Sequence, residues 1–128
     1  MRVIICGSRS FANHPNMRRI FLDAIRESQF PISFVISGGA RGIDRYSILW
    51  AKEQGLPFHE EKIPSEEWQR LGKGAGHDRN LRMAHLIPPP DAVLAIHDGL
   101  SNGTIDMLTI MRDLGKPWHL KTVFHSFR

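Results

Sequence analysis

The chain has a single cysteine, Cys6, so no disulfide can close within it and its core is held by packing. Cys6 lies inside the first apolar run and reads as a small buried core residue. No apolar run approaches the ~20 residues that cross a bilayer. The apolar part of "MRVIICGSRSF" is also too short for a secretory signal. A cytoplasmic protein with no membrane partner is therefore expected. The seven histidines show no metal-ligand spacing: His77 and His85 are eight apart, and His97 stands alone beside Asp98. They read as ordinary, partly exposed side chains, and no metal or cofactor is expected. Two phosphate-binding devices are missing as well, G-x-x-x-x-G-K-S/T and G-x-G-x-x-G. With no internal repeat, low-complexity tract or linker, residues 1–128 read as one domain.

What is present is an ordinary globular composition with a formal net charge of +4, which favours anionic partners, nucleic acid among them, without requiring one. Apolar runs alternate with helical patterns. Residues 2–6, 32–37, 57–63, 91–96 and 117–123 read as strands. A helix opens at Asn13 or His14 with Pro15 in its first turn, and Met17, Ile20, Phe21, Ala24 and Ile25 share its apolar face. A second helix runs from 43 to 54, stopped by Gly55 and Pro57. Between 64 and 90, Ser65 caps a short helix carrying Trp68, "GKGAG" (72–76) is a flexible loop, and Asp78 caps a helix through Leu86. A last helix spans 103–114. This rhythm predicts a parallel sheet of about five strands with helices on both faces, which binds ligands at the C-terminal ends of its strands.

Three of those strand ends carry matching chemistry. The first closes in Gly7, Ser8 and Arg9, the second in Ser37, Gly38, Gly39, Arg41 and Gly42, and the fourth in Asp98, Ser101, Gly103 and Thr104. Glycines allow close backbone approach, hydroxyls and arginines donate, and two of the loops run straight into helices. The same loops also serve as tight strand-to-helix turns. Asp44 falls in the first turn of the second helix, and Arg79 and Asn80 open a helix in the irregular segment. Lys73 sits within the glycine-rich loop, in reach of a phosphate.

"GSRSF", "SGGARGID", "GHDRNLRM" and "DGLSNGTIDM" occur in that order from Gly7 to Met107. Together they resemble the YspA/YpsA-related branch of the SLOG superfamily, Rossmann-like domains related to the DNA-processing protein DprA and to the LOG phosphoribohydrolases. The resemblance implies a three-layer Rossmann-like fold and a pocket for a nucleotide or nucleotide-derived ligand. Carried over position by position, Arg9, Gly38, Gly39, Arg41, Asp44, Arg79, Asn80, Ser101, Gly103 and Thr104 would line it. LOG enzymes carry P-G-G-x-G-T-x-x-E; set on Gly103 and Thr104, that glutamate falls on Met107 of this chain. Three readings stand: a ligand-binding sensor or accessory module; an N-glycosidic hydrolase of nucleoside monophosphates with Asp44 or Asp106 replacing the glutamate; and a DprA-like nucleic-acid-binding module. Related domains commonly pair, so a homodimer is also an expectation of the resemblance.

Overall fold

The computed structural model describes residues 1–72 and 74–124. It contains strands β1 (Arg2–Gly7), β2 (Phe34–Ser37), β3 (Phe58–Glu60), β4 (Ala92–His97) and β5 (Trp118–Thr122). The helices are α1 (Met17–Ser28), α2 (Ile43–Glu53), α3 (Ser65–Leu71), α4 (Gly74–Ala84) and α5 (Asn102–Asp113). The five strands form one sheet in the order β3-β2-β1-β4-β5, and every neighbouring pair is parallel. Continuous apolar runs make the central strands: every residue of β4 is buried, as are Val3 to Gly7 of β1, as expected of a sheet covered on both faces.

Alternation along β1 divides the core in two. Val3 and Ile5 pack with Phe21, Ala24, Ile43 and Trp50 of α1 and α2. Ile4 and Cys6 pack on the other face with Met83 of α4 and with Met107, Leu108 and Met111 of α5. The α1 face anticipated from sequence is the one that packs: Ile20, Phe21 and Ala24 are buried, with Met17 and Ile25 against the same cluster. The chain thus winds one way from β1 through β3 and then returns to build β4 and β5. The order reverses between β1 and β4, where ligands bind in open parallel sheets. In register, Gly7 lies beside Ile96, so the loops leaving β1 and β4 emerge side by side.

Several boundaries differ from the sequence reading. Residues Arg9–Asn13 form a 3-10 helix anchored by the fully buried Phe11, and α1 begins only at Met17, after the turn containing Pro15. The stretch 74–76, read as loop, opens α4. Ala75 is fully buried there, and burial of one helix face outweighs the low helix propensity of its glycine neighbours. Asp78 therefore sits inside α4 rather than capping it. Ser65 is the first residue of α3, whose N-cap is Pro64, without a side-chain cap bond. The second and third strands are shorter than read, by two residues in β2 and at both ends of β3. Among the described residues no helix is long and apolar enough to cross a membrane.

Gly7 makes a close approach to the start of α2 that positions the site. A Cβ there would lie 2.5 Å from Ile43 Cβ and 2.7 Å from each of its two γ carbons, and a β-branched side chain at a helix start has no room to retreat. Gly7→Ala should cost about 1–3 kcal/mol of stability. Thermal unfolding checks this, at roughly 3–6 °C per kcal/mol for a chain of this size; an unchanged Tm would contradict the close approach.

Candidate functional site

A cavity of about 620 Å³ opens at the C-terminal ends of β1 and β4. Its walls come from three directions. The loop after β1 supplies Arg9 and Ser10, the loop after β4 supplies Asp98 to Ser101 with the first turn of α5 behind it, and α4 supplies His77, Arg79 and Asn80. Ser101 caps α5: its hydroxyl accepts from Thr104 N–H at 3.5 Å and lies 3.1 Å from the Thr104 hydroxyl. A capped helix N-terminus thereby faces the cavity and favours an anion.

Asp44 is buried at the junction of α2 and β1, where Gly7 N–H donates to its carboxylate at 3.0 Å. Burial pushes its pKa up, while Arg79, the Gly7 and Ala40 N–H groups and Arg9 pull the other way, leaving it at about 6. Asp98 is also buried, yet it goes the opposite way. Burial raises its pKa, but hydrogen bonds from Ser10, the Leu100 and Ser101 N–H groups and Ser8 more than offset that and hold it at about 2. The Ser10 hydroxyl donates at 2.7 Å, Leu100 N–H at 2.8 Å and Ser101 N–H at 3.0 Å. Asp98 is therefore ionised and clasps the β1 loop to the β4 loop. Cys6 borders the same cavity, and burial pushes its thiol far up, so it is no nucleophile.

Asn80, 2% exposed, is the hinge pin between α4 and α5. Its amide donates to Gly103 C=O at 3.3 Å and to Asp106 at 3.0 Å, and its carbonyl accepts from the Arg79 guanidinium. Arg79 reaches back across the cavity to donate to Gly38 C=O at 3.2 Å. It can lie on the loop only because Gly38 has no side chain; a Cβ there would sit 2.6 Å from the guanidinium carbon. The His77 ring nitrogen Nδ1 is 2.9 Å from Asp106, which places a histidine–carboxylate pair on the cavity wall.

The residues singled out from sequence separate into three groups. Gly7, Arg9, Asp44, Arg79, Asn80, Ser101, Gly103, Thr104 and Asp106 line the main cavity. Gly38, Gly39 and Arg41 line an adjoining groove of about 470 Å³ instead. Ser8, Ser37 and Gly42 line neither and act through the backbone. Ser8 Oγ accepts from Asp98 N–H at 3.0 Å, and Ser37 Oγ donates to Asp44 C=O at 2.7 Å. At Gly42, with φ +91°, a Cβ would approach Ser8 C=O at 3.0 Å. Met107 is 1% exposed in the α5 core, at the cavity floor. Lys73 lies outside the described residues. His97, read as partly exposed, is buried with Nε2 3.0 Å from Ser101 C=O.

One contributor escapes the sequence reading. His77 lies three residues before Asn80 on one helical face, yet in the sequence it is one histidine among seven with no ligand spacing.

The family model that matches the chain describes the YspA, cpYpsA-related SLOG family and covers residues 1–64. The chain belongs to this family. No curated protein and no solved structure matches it. The match spans half of the chain, from β1 past β3, and contains the two glycine loops. The cavity is completed from outside that span, by α4 and the first turn of α5.

The raised pKa of Asp44 fixes a sign. Its carboxyl is protonated more readily in the folded chain than at its ordinary value of 3.8, so the favourable contribution is fully present below about pH 4 and is lost as pH rises through about 6. Asp44→Asn keeps an acceptor for Gly7 N–H and cannot ionise. Relative to wild type it should gain on the order of 2–3 kcal/mol between pH 4 and 7.5, read from the difference between paired thermal-unfolding curves. A difference that stays flat with pH would show that Asp44 is not desolvated.

Proposed function

We propose that the chain binds a nucleotide or nucleotide-derived phosphate ligand in the main cavity, as a sensor or accessory binding module. One observation carries this reading. A cavity of about 620 Å³ at the strand-order reversal brings cationic donors and carboxylate acceptors together in one space. Arg9, Arg79 and the capped first turn of α5 suit a phosphate. Asp44 and Asp106 suit ribose hydroxyls, which need acceptors. The volume falls within the range usual for small-molecule sites.

A thermal-shift screen against the four common nucleoside monophosphates tests it. At ~100 times its dissociation constant a ligand adds about 2.7 kcal/mol, a rise on the order of 10 °C here. Arg9 is exposed and, among the described residues, is bonded to no carboxylate, so Arg9→Ala should leave the unliganded Tm unchanged and weaken binding by ten- to a hundredfold. A full shift retained in Arg9→Ala would remove the phosphate from this position.

A second reading is favoured by the two acids sharing that cavity, one of them held by His77. In it, water attacks the anomeric carbon of a bound nucleoside monophosphate, the N-glycosidic bond breaks, and its electron pair leaves with the base. One proton of the water goes to the base and the hydroxyl to the ribose 5-phosphate. Asp44, poised near pH 6, or Asp106 assists the water. Met107 stands where LOG enzymes have their glutamate, which is why binding without turnover is the first reading. Chromatographic detection of free base after overnight incubation, lost in Asp106→Asn, would establish the hydrolase; intact nucleotide would leave the binding module.

A further inference from the structure

The groove beside the main cavity has a composition of its own. Arg9, Arg41, Arg45, Lys62 and Arg79 face it, against one acid, Glu60. Among the described residues none of these five cations forms an ion pair. Elsewhere on the chain Arg18, Arg26, Arg82 and Lys121 are each matched to a carboxylate. Two of the five are spent on the loop itself, Arg45 on Gly39 C=O at 3.3 Å and Arg79 on Gly38 C=O. Arg41 and Lys62 are exposed, and among the described residues their charged ends bond no partner. Like charges gathered at one groove repel each other until an anion sits among them.

The groove and the main cavity are continuous, sharing Arg9, Ala40, Ile63, Trp68 and Arg79. Their charges are opposite in character. Asp44, Asp98 and Asp106 lie on the main side and disfavour more than one phosphate there. Glycine keeps the groove floor as bare backbone: Gly39 has φ +73°, and a Cβ on it would run into the Glu60 carboxylate. A phosphate held between Arg9 and Arg79 therefore has a cationic annex on one side and an acidic chamber on the other.

We infer that this groove is a second phosphate subsite, so that the ligand carries at least two linked phosphoryl groups, as nucleoside diphosphates and their esters do. The nucleoside occupies the acidic chamber, the first phosphoryl group lies at Arg9 and Arg79, and the second lies over Gly38–Gly39 within reach of Arg41 and Lys62. The inference rests on the main cavity being a nucleotide site.

Calorimetric titration of the intact chain with matched mono- and diphosphates of the four common nucleosides, at about 0.15 M salt, tests it. Wild type should bind the best diphosphate at least tenfold more tightly than its monophosphate. In the double variant Arg41→Glu/Lys62→Glu that preference should fall below threefold, while monophosphate affinity changes less than threefold, since exposed charges at a distance are screened. Both positions are exposed, so an unchanged Tm verifies the fold. Equal binding of mono- and diphosphate by wild type, or a preference that survives the double variant, overturns the subsite and leaves the main-cavity reading standing. Failure of every nucleotide to bind overturns both. A twelve-residue oligothymidine that binds more tightly than any diphosphate, and is released by the double variant, overturns the small ligand in favour of single-stranded nucleic acid.

Discussion

The contact between Gly7 and the start of α2 governs the rest of the site. Because residue 7 has no side chain, Ile43 presses directly on the end of β1, and the Asp44 carboxylate reaches the Gly7 N–H at 3.0 Å. This fixes where the second glycine loop ends relative to the strand-order reversal. Ser37 then closes the loop from below, donating to Asp44 C=O and accepting from Gly39 N–H at 3.1 Å. The loop's shape, the burial of Asp44 and the platform on which Arg79 lies all follow from one missing methyl group.

Electrostatics separates the chemistry that this scaffold holds. Asp98 and Asp44 are both buried carboxyls within one cavity, yet four hydrogen-bond donors hold the first ionised, while at the second burial outweighs the Gly7 and Ala40 N–H groups and the nearby arginines. The acid that clasps two loops is structural in its bonding, and the more deeply desolvated acid titrates at about 6. The arginines around the glycine loop form no ion pair among the described residues, whereas Arg18, Arg26 and Arg82 are each matched with a carboxylate. A chain of modest net charge thus presents a strongly cationic edge.

Much of this was legible in the residues themselves. Five apolar runs with helical patterns between them give the all-parallel sheet, and the spacing of Ile20, Phe21 and Ala24 gives the face of α1. The motif at 76–83 pointed to Arg79 and Asn80, which the fold carries to the cavity. The glycines at 74 and 76 misled because propensity is local, whereas the burial of Ala75 is settled by α4 packing against its neighbouring helices α3 and α5. The His77–Asp106 pair spans 29 positions and has no sequence signature. The single phosphate cradle read from three loops divides into two spaces because the Arg79 side chain crosses to Gly38, a contact 41 residues long in sequence.

Helix α3 has no buried residue, and Trp68 on it is 43% exposed at the rim shared by both spaces. What ties it down is polar: Arg82 of α4 donates to Glu67 at 3.3 Å while also gripping Glu61, just past β3, at 3.1 Å. Such bridges weaken with salt where apolar packing does not. The rim of the pocket and its floor are accordingly built from materials with different sensitivities. Ionic strength can loosen the aromatic lip while the sheet beneath stays rigid, so the entrance can be tuned without disturbing the chamber.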